Sequence, residues 1–322
     1  MAEFTPNYGL HQWESTDPFL RTDFNQDLLT LDAALGRAER SAENTAYNVY
    51  NLMLQNDYEG KYTGYKKALL FDGFTDESGI DSKDGALVCS RGAVWLSRSG
   101  QGNVSLGYGD KKDTSLTTKE VTMGGNGTVT GFSFEVTSDI GADTSGFVQL
   151  SLKKNGTEVL TGSFSTGVIP SRETRQMTHT FSQPVQVGKG DVIELKFYTN
   201  GTAWLLTSAL DGIHLGGMFL ISPISGTSGT LTTKQASLPR FGRAMAWVRH
   251  QGGQVSVQLG GMDFGEAVER RTVSELLNGV TCTESAFVLD RAVEAGSMSV
   301  SLELDLNGES SMAVYDYGIA LY

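Results

Sequence analysis

The apolar residues of this chain follow two different periods. Between Phe24 and Leu52 they recur at alternating spacings of four and three residues, whereas beyond about Tyr65 they alternate with polar residues between glycine-rich turns. The first period is typical of an α-helix with an apolar seam, and the second of β-strands with one buried and one wet face. The pattern therefore predicts a mainly β protein with an N-terminal α-helix.

One long helix is predicted over residues 17–57. Asp17 suits the N-cap position, and Pro18 suits the first helical position, where its missing N–H costs nothing. The seam positions are Phe24, Leu28, Leu31, Leu35, Ala38, Ala42, Thr45, Val49 and Leu52. All but Thr45 are apolar, as the a and d positions of a coiled coil require.

The seam of this helix can be covered in two ways. It can pack against other copies of the chain as a coiled-coil stalk, or the helix can lie on its own β-structure. About four heptads do not separate a 3.5-residue repeat from a 3.6-residue one. The e and g positions lack the Glu and Lys pairs that select partners in dimeric zippers, and the mixture of Leu, Ala and Val leaves the number of helices open. We favour the coiled-coil stalk.

The remainder of the chain predicts antiparallel strands. Alternating segments lie at Phe132–Val136, Val148–Leu152 and Ile193–Phe197, and Asn-Gly pairs at 126–127, 155–156 and 200–201 indicate hairpin turns. Regularly spaced strands of this kind predict jelly-roll-like β-sandwich modules.

The predicted modules follow one another along the chain. Residues 1–16 form an arm that carries Phe4, Tyr8, His11 and Trp13, which either folds back on the chain or docks into a larger assembly. A β-sandwich domain is predicted over 67–225. A Gly/Ser/Thr-rich linker over 225–234 then precedes a C-terminal β-domain over 235–322.

Composition narrows the possible partners. With 25 basic and 37 acidic residues the net charge is −12, which argues against non-specific binding to nucleic acid and to anionic membrane surfaces. No apolar run is long enough to span a membrane, and the N-terminus lacks the features of a signal peptide, so we expect synthesis in a cytoplasm. Cys89 and Cys282 form no disulfide framework and are expected to be small buried hydrophobic residues.

No catalytic constellation emerges from the motifs, and we expect neither an enzyme nor a cofactor. The histidines are His11, His179, His214 and His250, and no two have the spacing of metal ligands on one strand or helical turn. For His179 and His250 a structural role is the better interpretation. No nucleophile elbow or phosphate-binding loop is present.

Two acidic clusters offer alternatives. Asp72, Asp76, Glu77, Asp81 and Asp84 could bind calcium, but they lack the order of an EF-hand loop, and a solvated loop is the preferred reading. Asp263, Glu266 and Glu269 have the spacing of one helical face. A glycosidase needs two carboxylates about 5–10 Å apart beside a cleft, so a polysaccharide-degrading enzyme is a minor hypothesis.

Aromatic residues of the β-region suggest binding. Tyr108, Tyr198 and Trp204 are candidates for a surface that stacks on sugar rings, although core packing is the alternative for each. For Trp247, which lies within an alternating strand, core packing is favoured.

The segment NYGLHQWESTDPFLRTDFNQDLLTLDAAL (7–35) resembles the N-terminus of structural tail proteins from phages and prophages of Gram-positive bacteria. Two further segments also resemble such proteins, namely GFTDESGID (73–81) and VYDYGIALY (314–322). The resemblance implies an anchoring role for Tyr8, Leu10 and Trp13 in the tail or baseplate. It further implies a homotrimer held by the seam, with distal β-sandwiches that face host polysaccharide.

The leading hypothesis is therefore a virion tail fibre or receptor-binding protein that attaches to host glycans. The second hypothesis is an adaptor or decoration protein of the tail without a ligand of its own.

Overall fold

The computed structural model describes residues 3–58, 69–105, 117–137, 144–171, 173–201, 204–205, 217–275 and 279–322. The described chain is mainly β, with antiparallel sheets and one N-terminal helix, which confirms the predicted fold class at that level. A short hairpin of β1 (Glu3–Phe4) and β2 (His11–Gln12) precedes helix α1 (Arg21–Tyr58).

Helix α1 begins three residues later than predicted. The carbonyl of Leu20 accepts the first intrahelical bond, from the N–H of Phe24 at 3.2 Å. The carboxylate of Asp17 instead accepts the N–H of Glu14, at 3.2 Å, in a turn that precedes the helix. The predicted N-cap at Asp17 was wrong because an aspartate side chain can satisfy a local turn as readily as a helix end.

The strands after the helix fall into three groups along the chain. The first group is β3 (Leu69–Asp72), β4 (Ile80–Lys83), β5 (Val88–Cys89) and β6 (Val94–Ser97). The second is β7 (Val104–Ser105), β8 (Thr117–Thr122), β9 (Gly127–Thr137), β10 (Thr144–Lys154), β11 (Thr157–Ile169), β12 (Thr174–Val187), β13 (Val192–Gly201), β14 (Trp204–Leu205) and β15 (Met218–Pro223). The third is β16 (Ser228–Thr233), β17 (Ala236–Leu238), β18 (Phe241–Gln251), β19 (Gln254–Leu259), β20 (Met262–Asp263), β21 (Glu269–Ser274), β22 (Thr281–Val293), β23 (Gly296–Met298), β24 (Val300–Asp305) and β25 (Ser311–Leu321).

The first and third groups form one domain, and the second group is inserted between them. Strands β3 and β6 pair with β25, while β4 pairs with β16. We call residues 69–97 and 228–322 together the base domain, and residues 104–223 the inserted sandwich. This pairing corrects the predicted division into 67–225 and 235–322, because hydrogen bonds between distant segments are invisible to a linear reading of turns and linkers.

The predicted linker over 225–234 is also wrong, since most of it is strand β16. That strand lies inside a sheet, between β24 and β4, and Leu231 is completely buried. Its Gly, Ser and Thr residues fit a tightly packed strand: a side chain at Gly229 would crowd the side chain of Leu87.

Two sheets face each other in the base domain. One has the order β21-β22-β18-β25-β6-β5, with β3 also paired to β25, and the other has the order β20-β19-β24-β16-β4. Side chains such as Val248, Leu302 and Ile319 fill the space between the sheets. Strand β25 is buried along nearly its whole length, because α1 covers the other face of its sheet. Burial on both faces explains why its sequence is a nearly continuous apolar run.

The inserted sandwich repeats this layering with different strands. Its sheets have the orders β11-β10-β13-β8 and β12-β9-β15-β7, with β14 beside β9. The predicted strand periods are confirmed here: Val148, Leu150 and Leu152 of β10 and Ile193 and Leu195 of β13 all point into the core.

The Asn-Gly pairs behave differently from one another. Asn155 and Gly156 both have positive φ and join β10 to β11 as the predicted two-residue hairpin. Asn200 and Gly201 instead belong to β13, where they pair with Phe147 and Gly146. The hairpin predicted at Asn200 was wrong, since strand pairing with β10 continues through this pair.

The two ends of the inserted sandwich lie side by side. The N–H groups of Gln101 and Ile224 both donate to the carbonyl of Asn126, at 2.6 and 3.1 Å. Because the insert leaves and re-enters the base domain at adjacent points, a short linker can replace it without stretching the strands on either side.

We therefore expect that replacing residues 102–223 with a short Gly-Ser linker leaves the base domain folded. The cooperative thermal transition followed by circular dichroism should persist. A control deletion of residues 69–97 should abolish it, because that segment supplies paired strands of both base sheets. Loss of the transition in the first variant would show that the base domain depends on the insert.

Candidate assembly interface

The C-terminal part of α1 packs on the outer face of the larger base sheet. Tyr50, Met53 and Leu54 are buried there. Their apolar cluster also contains Leu69, Phe71, Trp247, Ala286 and Ala320. Tyr50 lies at the centre of the contact, with its ring stacked on that of Trp247 at a centroid separation of 5.6 Å. The alternative in which the helix lies on its own β-structure thus holds for this part of the helix.

A glycine permits the close approach of the Tyr50 ring. Gly318 of β25 lies directly beneath it, and a Cβ atom at that position would overlap the ring. The Tyr50 hydroxyl donates to Asp316 Oδ1 at 2.6 Å. Burial, reinforced by the negative charge of Asp316, raises the pKa of Tyr50 well above its usual value, so the hydroxyl stays protonated and remains a donor.

Charged side chains surround this contact and neutralise one another. Arg249 Nε donates to Glu284 Oε2 at 2.8 Å, and Arg249 Nη1 lies 3.6 Å from Asp316 Oδ2. Arg271 bonds the other oxygen of Glu284 through Nε and Nη2, at 2.7 and 2.6 Å. Two guanidinium groups therefore face two carboxylates, and the group carries no net charge.

Helix α1 joins this charged group through polar side chains of its own. The Tyr47 hydroxyl donates to Glu284 Oε2 at 3.0 Å, and Arg249 donates to Asn51 Oδ1. The guanidinium of Arg271 lies over the Tyr47 ring, 4.3 Å from its centroid. The Arg249 side chain is only 3% exposed, and those of Glu284 and Asp316 are fully buried. Displacing the helix would leave buried polar atoms of this group without these hydrogen bonds, so the polar contacts favour this position of the helix.

The predicted seam points away from this contact. Six large seam residues are 37–70% exposed, namely Phe24, Leu28, Leu31, Leu35, Val49 and Leu52. The remaining seam positions, Ala38, Ala42 and Thr45, are exposed as well. The described part of the chain therefore leaves the seam from Phe24 to Leu52 substantially exposed.

Heptad geometry explains this separation of faces. With Leu28 at position a, the docked residues Tyr47, Tyr50 and Leu54 occupy positions f, b and f. These positions lie on the side of a helix opposite to a and d. Glu39, at position e, forms an ion pair with Arg243 of β18 and ties a more N-terminal turn to the same sheet.

The N-terminal arm lies against the first turns of α1. His11 of β2 bonds to Asp27 twice, through its N–H and through Nδ1, both at 3.0 Å. Aromatic rings at Phe4, His11, Trp13, Phe19 and Phe24 then contact one another in series, with centroid separations of 4.8 to 5.7 Å. The series ends at Phe24, the first residue of the seam.

The residues predicted to anchor the protein differ in accessibility. Tyr8 is 54% exposed, whereas Leu10 and Trp13 are half-buried. The arm thus folds back on its own chain, and Tyr8 remains accessible at the tip of the hairpin. Its docking into a larger assembly remains a prediction.

The residues predicted to bind glycans lie largely outside the described chain. Tyr108 falls in an undescribed segment. The backbones of Tyr198 and Trp204 pair within β13 and β14, but the structure does not describe their side chains. Trp247 is 2% exposed, which confirms its predicted place in the core.

The histidines in the described strands have structural surroundings, as predicted. His179 stacks on Phe164 with a centroid separation of 4.3 Å, and burial lowers the pKa of its ring. The ring of His250 is bonded on both sides, by Gly252 O and Ser285 Oγ, and burial lowers its pKa too. His214 lies outside the described residues.

Three aspartates of the first acidic cluster accept backbone hydrogen bonds. Asp72, Asp76 and Asp84 accept backbone N–H groups from Phe74, Ser78 and Thr230 respectively. The hydrogen bonds from Ser78 lower the pKa of Asp76. Across the ranges that the structure describes, no three His, Cys, Asp or Glu residues lie together as a metal site would require.

The helical face predicted for Asp263, Glu266 and Glu269 does not form. Asp263 lies in β20 and Glu269 in β21, with the Asp263 carboxylate accepting the N–H of Gly265 at 2.9 Å. Strands and a turn form here in place of a helix. Glycines with positive φ in this region favour turns, which interrupt a continuous helix.

The buried charged network was missed by the sequence reasoning. One signal was available: Asp316 interrupts an otherwise apolar segment, VYDYGIALY, within a strand. A carboxylate in such a run needs a partner when buried. Its partners, Arg249 and Tyr50, are distant in sequence, so the signal could not identify them.

Comparisons with known proteins do not assign the chain. No family model matches it, and no curated protein matches it either. Within the described residues, no helix has the length and apolar character that crossing a bilayer requires.

Some solved structures show a weak similarity. A chain of infectious bursal disease virus, Gx strain, is 8% identical with a TM-score of 0.23, and the match covers 76% of this chain and 42% of that one. The tandem CBM22-1–CBM22-2 domain of Paenibacillus barcinonensis Xyn10C is 10% identical with a TM-score of 0.21, covering 81% of this chain and all of that one. Dimeric latent PorU from Porphyromonas gingivalis is 12% identical with a TM-score of 0.22, covering 74% and 22%. TM-scores this low establish neither a shared fold nor a function.

We expect Gly318→Ala to weaken the docking of α1. The added methyl group must displace the Tyr50 ring, and overpacking of this kind costs about 1–3 kcal/mol. Chemical denaturation measures the loss, and hydrogen exchange should show faster exchange in residues 46–54. Gly242→Ala in β18 is the matched control, since a Cβ atom there meets nothing closer than 4.0 Å. Equal stability of the two variants would contradict the proposed contact.

Proposed function

We propose that this protein is a homotrimeric tail protein of a bacteriophage that attaches the virion to host-surface glycans. The observation that carries the proposal is the exposure of every seam position from Phe24 to Leu52, while the opposite face of the helix is bound to the base domain. An apolar stripe of this length on a monomer is a surface that a partner should cover.

Other copies of the chain are the partner that fits this stripe. From Phe24 to Leu52 the seam rises roughly 42 Å at 1.5 Å per residue, and its heptad spacing is that of a helix that meets other helices. An association of a few helices suits the geometry, because two e positions already contact the base domain: Met53 is buried there and Glu39 pairs with Arg243. We propose three helices on the basis of the family resemblance of residues 7–35.

A trimer built on this seam would hold its β-domains on the outside. The b and f positions, which carry the base domain, face outward in a coiled coil. Three base domains and three inserted sandwiches, which we expect to be jelly-roll-like, would then surround a central stalk. Three weak sites on one rigid body bind a repeating polymer with an avidity far above the affinity of one site.

The arm at the N-terminal end of the stalk would connect the trimer to the virion. Phe4, Tyr8 and Phe19 are more than half exposed in this region. These side chains also support the second candidate, an adaptor or decoration protein of the tail, because they could link two virion components without any glycan.

The solution mass tests the trimer. The wild type should have three times the mass of one chain by sedimentation equilibrium at micromolar concentration. The double variant Leu28→Asp/Leu35→Asp should be monomeric, because each buried leucine contributes about 1.5–3 kcal/mol, or roughly tenfold to a hundredfold in the association constant. Leu29→Asp is the matched control: Leu29 is 64% exposed but lies at position b, on the side of the helix away from the seam.

The folded monomer should survive these changes, since both leucines are exposed in the single chain. Circular dichroism confirms that point in the same samples. A wild-type monomer with an intact helix would exclude the proposed assembly.

Avidity gives a second, independent test. On a surface coated with host polysaccharide, the Leu28→Asp/Leu35→Asp variant should bind at least tenfold more weakly than the wild type, because only one site engages at a time. Leu29→Asp should bind as the wild type does. A trimer that binds no host polysaccharide would support the adaptor instead.

A further inference from the structure

A concave surface lies on the outer face of the inserted sandwich. It encloses about 640 Å³ above strands β10, β11 and β13. Its polar lining includes Gln149, Ser151, Lys153, Thr161, Ser163 and Lys196. We call this surface the β10 groove.

Strand register explains why the lining is polar. Val148, Leu150 and Leu152 of β10 point into the core, so the residues between them face outward. Ser151 is paired with Thr161 on one side and Lys196 on the other. Hydroxyl, amide and amino groups therefore stand about 5 Å apart across the strands and about 7 Å apart along them.

Besides Ser151, three side chains of the groove are polar and uncharged. The side chains of Gln149, Thr161 and Ser163 form no hydrogen bond to another described residue. Each can both donate and accept, which is the chemistry that matches the hydroxyl groups of a sugar. Gln149 is also the register partner of Tyr198 in β13.

The charges of the groove are balanced. Lys153 Nζ lies 3.9 Å and Lys196 Nζ 3.2 Å from carboxylate oxygens of Glu194. Glu158 accepts the Ser151 hydroxyl at 2.7 Å, which places a second carboxylate beside these lysines. Two cations against two anions provide no excess positive charge, and the chain as a whole carries −12. A polyanion is therefore disfavoured relative to a neutral ligand.

An exposed aromatic ring extends the same face. Phe147 is 52% exposed and lies two residues before Gln149, which puts both on the outer side of β10. A phenyl face attracts the C–H groups of a ring that lies flat on it, because its π-system is electron-rich. A pyranose has an apolar face of C–H groups and a rim of hydroxyl groups. The phenyl ring of Phe147 matches the first, and the neighbouring row of hydroxyl and amide groups matches the second.

We propose that the β10 groove binds a neutral polysaccharide, which stacks on Phe147 and exchanges hydrogen bonds with Gln149, Thr161 and Ser163. This inference rests on the proposed function in glycan attachment and assigns that binding to one face of the inserted sandwich. In the proposed trimer three such grooves would contact the same polymer.

The test uses the full-length protein on an array of neutral hexose and deoxyhexose oligosaccharides, with hyaluronan as the anionic comparator. We expect binding to neutral members and none to hyaluronan. For the strongest array member, calorimetry should show that Gln149→Ala and Phe147→Ala each raise Kd at least tenfold. Gln176→Ala is the matched control, because Gln176 is exposed on β12, in the opposite sheet. Circular dichroism verifies that all variants are folded.

The outcomes separate the groove from the proposed function. If the Gln149 and Phe147 variants still bind glycan, the β10 groove is not the binding site, whereas the proposed function in glycan attachment stands. Absence of binding to every neutral oligosaccharide, or preferential binding to hyaluronan, would also overturn the groove. A monomeric mass with groove-dependent binding would refute the trimer but support the groove.

Discussion

The contact between Tyr50 and the base domain determines what the rest of the molecule presents. Because Gly318 lacks a side chain, the Tyr50 ring can lie directly on β25, where its hydroxyl reaches Asp316. The surrounding arginines and carboxylates belong to the base domain, and the helix supplies hydrogen bonds to them from Tyr47, Tyr50 and Asn51. This contact disfavours other placements of the helix, because displacement would leave buried polar groups without those hydrogen bonds. It therefore decides which face of α1 remains outside.

That choice leads from packing to the proposed assembly. Once positions b and f are docked, positions a and d must face away from the sheet, and their apolar residues remain exposed. The insertion likewise separates two parts of the β-region, the inserted sandwich and the base domain. Residues 104–223 leave and re-enter the base domain at adjacent points, so their sandwich can carry a binding surface without disturbing the sheet that holds the helix. The docking of α1 and the proposed ligand binding therefore belong to different domains.

Local patterns predicted much of this architecture. Periodicity identified the helix, the alternating strands of the inserted sandwich and the Asn155-Gly156 turn, because each depends on residues close together in the chain. The errors share one cause. The segment over 225–234 resembles a linker in composition but is a central strand, and the early strands β3 to β6 belong with the last ones. Only pairing between remote segments reveals either fact.

The sequence by itself determined the seam, since heptad spacing is a property of consecutive residues. It also determined the class of fold and the acidic balance of the chain. Only the tertiary structure decided which face of the helix lies on the β-structure, and that face is the one opposite to the seam. The reason is that Tyr50, Arg249, Glu284 and Asp316 come together from segments up to 266 residues apart. The β10 groove has the same origin, because its polar rows exist only when three strands pair in register.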